Sequence, residues 1–204
     1  MPSDASEGVI KFKYTLKPTA DLEESEFLGL EKWRAIFHKM GLVGEYLSEQ
    51  VGFGNLSKRM SNNNQFIITG TQTGKYAHLN GSQYTKVLEC DLKKMTLKAA
   101  GPIAPSSESV THYSIYEQSP QIKAIFHIHH DDLWEFMKKN DYDSSPADIE
   151  YGTEEMAQAC KKIINTKSSG IIVMLGHQSG IISYGTTTEE AGKIILETLK
   201  ESRK

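Results

Sequence analysis

The chain has 204 residues, which is enough for one domain of ordinary size or two small ones. Its 38% hydrophobic and 24% charged residues are typical of a folded protein and argue against an intrinsically disordered one. The formal net charge of −3 provides no basic surface for nucleic acid or for an anionic membrane.

The sequence also indicates a cellular location. No apolar run approaches the ~20 residues that a membrane-spanning helix needs. The N-terminus lacks the basic region followed by an apolar stretch that marks a signal peptide. Two cysteines far apart, Cys90 and Cys160, argue against a disulfide framework. We therefore expect a cytoplasmic protein and, because no repeat or long linker divides the chain, a single domain over residues 1–204.

In the first half of the chain, hydrophobic periodicity predicts one helix among short strands. A period of two predicts a strand over residues 9–16. A helix is expected over residues 25–40, with Asp21 or Ser25 as its N-cap. Residues 52–55 have the composition of a turn. The strands expected after this turn cover residues 66–69, 86–91 and 95–98.

The second half of the chain mixes helices and strands irregularly. The predicted strands cover residues 122–127, 170–175 and 181–184. The predicted helices cover residues 110–116 and 131–139, followed by one that Thr153 caps and a last one that Thr188 caps. This mixture predicts an α/β or α+β fold.

The sequence His127-Ile128-His129-His130 is the strongest candidate for a chemical site. Because side chains alternate along a strand, His127 and His129 point to the same face. Two such imidazoles can bind one ion at about 2.0–2.1 Å. The alternative is a pair of histidines with ordinary hydrogen bonds. His130 points to the other face, and we expect it to be a structural or helix-start residue.

Two further residues could belong to the same site. His177 follows another apolar strand and could complete a three-histidine metal site with an open position. Glu108 stands at a predicted helix start, where it is either a capping carboxylate or a general acid/base. His112 lies one helical turn after Glu108, on the same face.

Three turns rich in glycine and hydroxyl residues complete the set of candidates. They are residues 54–57, 69–74 and 106–107. Each could donate backbone N–H and hydroxyl groups to a phosphate. Each also has the composition of an ordinary turn, and none matches a nucleotide-binding motif.

Taken in order, these segments resemble one known family. They read GNLS, ITGTQTG, PSSESVTH, AIFHIHH and LGHQSGIISYGTTTEEA. This succession is similar to the class II aldolase/adducin family, from about Gly52 to the C-terminal helix. The resemblance implies a three-layer α/β/α fold with a central, largely antiparallel sheet flanked by helices. It also implies a homotetramer.

The resemblance assigns roles to individual residues. His127, His129 and His177 correspond to the metal ligands, for Zn2+ or for Mn2+, Fe2+ or Co2+, and Glu108 to the catalytic acid/base. The positions that correspond to substrate and phosphate binding are Gly54, Asn55, Thr73, Gly74, Ser106 and Ser107. The family usually has His-Gly directly before the last strand. Alignment on Gly180 would put Ser179 in the ligand position, so His177 needs a two-residue bulge to reach it.

The function implied is that of a metal-dependent aldolase. Such an enzyme would cleave a C–C bond in a small phosphorylated hydroxy-ketone or sugar through a metal-stabilised enediolate. Two alternatives remain open at this point. One is dehydration or epimerisation of a sugar phosphate on the same scaffold, and the other is a non-catalytic, adducin-like interaction module.

Overall fold

The computed structural model describes residues 8–61 and 63–204. Residues 1–7 of the N-terminal segment, which bear on the expected absence of a signal peptide, therefore lie outside the described residues. The strands are β1 (Lys13–Lys17), β2 (Gly44–Tyr46), β3 (Val51–Phe53), β4 (Asn55–Arg59), β5 (Phe66–Thr69), β6 (Tyr84–Asp91), β7 (Thr96–Ala100), β8 (Ala124–His129), β9 (Gly170–Val173) and β10 (Gly180–Gly185). The helices are α1 (Glu24–Lys39), α2 (Ser109–Gln118), α3 (Asp131–Lys139), α4 (Glu154–Ile164) and α5 (Thr188–Glu201), with a 3₁₀ turn at Gly81–Gln83.

Eight of the strands form one central sheet in the order β1-β7-β6-β5-β4-β8-β10-β9. Neighbouring strands are antiparallel except for β1 and β7, which are parallel. Strands β2 and β3 form a separate antiparallel hairpin. The largely antiparallel sheet flanked by helices confirms the expected fold class. Within the described residues, no helix combines the length and the apolar character that crossing a bilayer requires.

Strand β8 separates two hydrophobic cores. Phe126 and Ile128 pack into the core that holds the buried side chains of α1, α3 and α5. Ile125, one residue out of phase, packs into the core that holds those of α2 and α4. Because side chains alternate along the strand, His127 and His129 face the same side as Ile125. The sheet is therefore the middle of three layers, and the two histidines lie on its α2/α4 side.

Most predicted elements are present, and the errors within these elements fall at their ends. Helix α1 covers the predicted helix, but its N-cap is Glu23, which forms a capping box with Glu26, so the expected caps Asp21 and Ser25 were wrong. The last helix is capped by Thr187 instead of Thr188. Strand β1 begins four residues later than predicted, because parallel pairing with β7 sets its position.

The sequence prediction missed strand β4, whose first residue, Asn55, was assigned to a turn. The strand carries the polar residues Ser57, Lys58 and Arg59, so no apolar alternation marks it. It forms because β5 and β8 pair with its two edges. Long-range pairing thus overrides local sequence preference at this strand.

A buried polar network connects β4 to α2. The hydroxyl oxygen of Ser57 lies 2.7 Å from Nδ1 of His112 and 2.8 Å from the hydroxyl oxygen of Tyr116. His112 is fully buried, and burial lowers its pKa from 6.5 to about 3. The imidazole is therefore neutral near pH 7, and its bond to Ser57 holds α2, the helix that begins directly after Glu108, against the sheet.

The pKa of His112 predicts a loss of stability in acid. The folded-state pKa of about 3 lies below the ordinary 6.5, so the unfolded chain takes up the proton first as the pH falls. The stability due to neutral His112 is complete above pH 6.5 and declines toward pH 3. The slope from one such proton reaches about 1.4 kcal/mol per pH unit. Urea unfolding at a series of pH values should show a shallower slope for His112→Asn. The exposed His78→Asn should keep the wild-type slope, and equal slopes for all three chains would contradict the prediction.

Helices α1 and α5 pack closely where a glycine faces a tryptophan. A Cβ atom at Gly192 would overlap the ring of Trp33. That ring packs against Phe37 and Phe126, whose ring centroids lie 5.7 Å and 6.4 Å from its own. The indole therefore has little room to move, and the contact requires glycine.

We predict that Gly192→Ala destabilises the protein by about 1–3 kcal/mol, because the added methyl group over-packs the α1–α5 contact. Gly29→Ala is the matched control, since the nearest atom to a Cβ there is Thr188 Oγ1 at 3.9 Å. That change should stabilise α1 by about 0.5–1 kcal/mol through helix propensity. Chemical denaturation measures both values, and equal effects would refute the packing argument.

Candidate metal and substrate site

Three histidines meet on the α2/α4 side of the sheet. His127 and His129 come from β8, and His177 comes from the loop between β9 and β10. One ligand atom from each lies within 4.8 Å of the others. The Nε2 atoms of His127 and His129 are 3.0 Å apart. The ring centroid of His177 lies 5.0 Å from that of His127 and 4.7 Å from that of His129. We call these three residues the imidazole cluster.

The protonation of His127 follows from its hydrogen bond. Its Nδ1 lies 3.2 Å from the carbonyl oxygen of Ile181. Because a carbonyl only accepts, Nδ1 carries the proton and donates, and the lone pair is on Nε2. Burial, and next the proximity of His177, place the pKa of His127 well below its ordinary value. The ring is therefore neutral, which is the form that binds a metal ion.

The donor set of the imidazole cluster fits a divalent transition metal. Two nitrogen ligands at 2.0–2.1 Å in tetrahedral geometry are roughly 3.3 Å apart, close to the observed 3.0 Å between Nε2 atoms. The three side chains are nearly inaccessible to solvent, with exposed fractions of 1%, 4% and 3%. Imidazole with a nearby carboxylate suits zinc and also manganese, iron or cobalt.

The loop after β9 brings His177, and not Ser179, to the imidazole cluster. The loop closes through bonds from the N–H of Met174 to the carbonyl of Gly180, and from the N–H of Gly180 to the carbonyl of His177, both 2.9 Å. A Cβ at Gly180 would lie 2.9 Å from the imidazole of His177, so glycine lets the ring fold back. Ser179, at φ +63°, instead donates its hydroxyl proton to Asp131. The two extra residues thus form the bulge that His177 needed.

Glu108 directs its carboxylate toward the imidazole cluster. It is the N-cap residue of α2, yet in the described structure its side chain makes no capping hydrogen bond. Its Oε1 lies 3.6 Å from Nδ1 of His177, and the residue is 2% exposed. Helix α2 begins after a turn in which Ser109 donates its hydroxyl proton to the carbonyl of Ser106 at 2.7 Å. A carboxylate and three imidazoles are thus buried together, an arrangement suited to proton transfer beside a metal.

The six positions assigned to substrate and phosphate all line one small cleft, which we call the glycine-lined cleft. Its walls contain Gly54, Asn55, Thr73, Gly74, Ser106 and Ser107, together with Gly8, Gly52, Gly70, Thr71 and Gln72. None of these lining residues is charged, so an anion there would be bound by backbone N–H and polar side-chain groups. Asn55 pairs with His127 across β4 and β8, which places the cleft next to the imidazole cluster.

A second opening, the rim cleft, is bordered by His129. It has a volume of about 390 Å3 and is lined by Met40, Gly41, Tyr46, Phe53, His129, His130, Asp131, Asp132 and Ser179. Its wall is partly apolar and partly acidic. His130 is the N-cap of α3 and accepts a hydrogen bond from the N–H of Leu133, in agreement with a structural role. The imidazole cluster therefore borders one cleft without charged groups and one wider cleft.

Two tyrosines at the site were missed by the sequence analysis. The hydroxyl of Tyr46 lies 2.8 Å from Nδ1 of His129, and the ring of Tyr151 stacks on His177 at 4.4 Å. Tyr46 belongs to the β2–β3 hairpin and Tyr151 to the loop before α4. Neither belongs to a motif, and no local sequence signal connects them to the histidines.

Solved structures of similar fold come from sugar-phosphate enzymes and a related protein. L-fuculose-1-phosphate aldolase from Thermus thermophilus has a TM-score of 0.63 at 17% identity, covering 89% of this chain and 92% of that one. A sugar-phosphate aldolase from Thermotoga maritima has a TM-score of 0.67 at 16% identity, covering 88% and 93%. YgbL from Klebsiella pneumoniae, for which aldolase, epimerase and decarboxylase are offered as alternatives, has a TM-score of 0.67 at 17% identity, covering 88% and 87%.

A family profile identifies the family of this chain, although individual curated proteins do not. Comparison with curated proteins gives no match. The family profile described as Class II Aldolase and Adducin N-terminal domain matches residues 41–202, which is most of the chain. The matched region includes every residue of the imidazole cluster, Glu108, and all six positions assigned to substrate and phosphate. The chain therefore belongs to the class II aldolase and adducin family.

Proposed function

We propose that this protein is a metal-dependent lyase of the aldolase type that cleaves a C–C bond in a small phosphorylated hydroxy-ketone or sugar. One observation carries the proposal: three buried imidazoles and a buried carboxylate converge, with 3.6 Å between Glu108 and His177. A binding module has no need for these groups together, since burying them is costly. Their convergence therefore favours an enzyme over an adducin-like interaction module.

The metal ligands in this proposal are His127, His129 and His177. Zinc is the first candidate, since three imidazoles with an open position are the ligands of catalytic zinc. When bound, the ion supplies a Lewis acid for the substrate carbonyl and the hydroxyl next to it. The protein holds His127 in the required form through the carbonyl of Ile181, which keeps the proton on Nδ1.

Glu108 is the proposed acid/base. Its carboxylate lies beside the imidazole cluster and is shielded from water, so a proton that it exchanges with the substrate stays in the site. We assign to it the proton exchanged with the carbon at which the C–C bond breaks. The position of Glu108 at the start of α2 keeps the carboxylate fixed, because the helix is held against the sheet by His112 and Ser57.

The glycine-lined cleft is the proposed site of the phosphate group. It carries no charged side chain, and turns of this kind bind phosphate through backbone N–H groups. Oδ1 of Asn55 is buried and has no hydrogen-bond partner in the described residues, so a substrate hydroxyl can supply one. A phosphate bound there would lie beside the imidazole cluster, because Asn55 pairs with His127 across β4 and β8.

Three other predictions from the sequence stay predictions. They are the single domain, the homotetramer and the cytoplasmic location. The resemblance to the family supports the homotetramer, and the small number of cysteines supports the cytoplasm.

The metal assignment predicts a specific loss of binding. The wild-type protein should retain about one divalent ion per chain after dialysis against zinc, measured by elemental analysis. His127→Ala/His129→Ala removes two of three ligands and should retain almost none. The matched control His38→Ala/His78→Ala removes two histidines outside the cluster and should bind as the wild type does. A wild-type protein that binds no divalent ion would refute the proposed function.

The role of Glu108 predicts a loss of turnover without a loss of metal. Glu108→Gln should lower kcat by about 10²–10⁴-fold, because the amide cannot exchange the proton, while the three imidazoles keep the ion. NMR of products from a panel of phosphorylated ketoses measures turnover and separates cleavage from dehydration and epimerisation.

The exposed Glu89→Gln is the control for this change and should keep wild-type turnover. If the products show only dehydration or only epimerisation, the protein is a dehydratase or an epimerase and not an aldolase. Equal turnover by Glu108→Gln and the wild type would contradict the role of the carboxylate.

A further inference from the structure

We propose that Tyr46 is a positioning residue for the metal centre: its hydroxyl oxygen accepts the Nδ1 proton of His129, so that Nε2 of that ring faces the ion. This inference rests on the proposed function, because it assigns the outer partner of a proposed metal ligand. Tyr46 lies in the β2–β3 hairpin, within the region that the family profile matches but outside the five segments on which the resemblance was based.

The geometry separates the two nitrogens of His129. Its Nδ1 lies 2.8 Å from the hydroxyl oxygen of Tyr46, whereas its Nε2 lies 3.0 Å from Nε2 of His127. One nitrogen is thus inside the imidazole cluster and the other is at the hairpin. Because a neutral imidazole carries one proton, an Nδ1 proton that donates to Tyr46 leaves the lone pair on Nε2 for a metal.

The two histidines of β8 differ in what holds them. His127 is oriented by the main-chain carbonyl of Ile181, a group fixed by the ladder between β8 and β10. His129 is oriented by a side chain on a separate two-stranded hairpin. The orientation of His129 therefore depends on the position of this hairpin and not on the central sheet alone.

Aromatic packing fixes the hairpin against His129. The ring of Phe53 lies 4.6 Å from that of Tyr46 and 5.4 Å from that of His129. Phe53 also pairs with Gly44 across the hairpin, where a Cβ would lie 2.9 Å from the phenyl ring. The ring of Tyr46 thus has contacts of its own, and removing only its hydroxyl leaves that packing in place.

The consequence is a metal affinity that depends on one hydroxyl group. Outer partners of metal-binding histidines fix the protonated nitrogen and the ring orientation, and their loss typically weakens metal binding 10–100-fold. Tyr46 is half-buried and lines the rim cleft, so Tyr46→Phe deletes the hydrogen-bond acceptor without opening a cavity in a core.

The test compares Tyr46→Phe with Tyr142→Phe, which removes a tyrosine hydroxyl that donates to Glu201 at 2.9 Å and lines neither the rim cleft nor the glycine-lined cleft. Competition with a chromophoric chelator measures the Kd for Zn2+ and Co2+. We expect Tyr46→Phe to bind both ions at least ~10-fold more weakly and Tyr142→Phe to match the wild type. The melting temperature of metal-free Tyr46→Phe should stay close to that of the wild type, whereas a purely structural role would lower it.

The outcomes separate this inference from the proposed function. A wild-type chain that binds neither ion would refute both. A wild-type chain that binds the ions, with equal affinity in Tyr46→Phe, would refute only the role of Tyr46. NMR of the zinc-loaded wild type with ¹⁵N-histidine gives a second measurement that does not depend on the folding of a variant. A proton on Nδ1 of His129 supports the inference, and a proton on Nε2 overturns it.

Discussion

Hydrogen bonding of β8 along both edges is the constraint on which the candidate site depends. The strand lies between β4 and β10, so its backbone cannot twist to expose either face. Phe126 and Ile128 occupy one core, and the same alternation places His127 and His129 inside the protein on the opposite side. The backbone of β8 therefore cannot turn this face toward solvent without breaking the hydrogen bonds to β4 and β10. Burying the two polar rings costs free energy, and the stability of the whole fold offsets that cost.

The surroundings of the imidazole cluster reduce that cost in specific ways. The low pKa of His127 keeps its ring uncharged, and the carbonyl of Ile181 satisfies one of its nitrogens. Tyr151 covers His177 with an aromatic face, and Lys11 lies over the ring of Tyr151 at 4.0 Å. The N-terminal segment therefore contributes to the site, although the resemblance to the family does not extend to it. These contacts come from parts of the chain that are far apart in sequence.

How far the sequence predicted the site depends on the range of the interactions. His127 and His129 could be placed on one face because alternation is a local property of a strand. Glu108 could be placed at a helix start because capping composition is local as well. Strand β4 could not be predicted, because its polar residues show no alternation and only its neighbours make it a strand. Tyr46 could not be predicted, because nothing near it in the sequence connects it to His129.

The sequence by itself determined the family, the order of the motifs, the class of fold and the shared face of His127 and His129. The shared face follows from residue types at short spacing, whereas the family and the class of fold follow from the succession of motifs along the chain. Only the tertiary structure shows that His177, and not Ser179, lies in the imidazole cluster, because this depends on how the loop between two paired strands closes. It also decided that the six positions assigned to substrate and phosphate line one cleft. The physical reason is that strand pairing brings distant segments together, and no periodicity in the sequence records which segments pair.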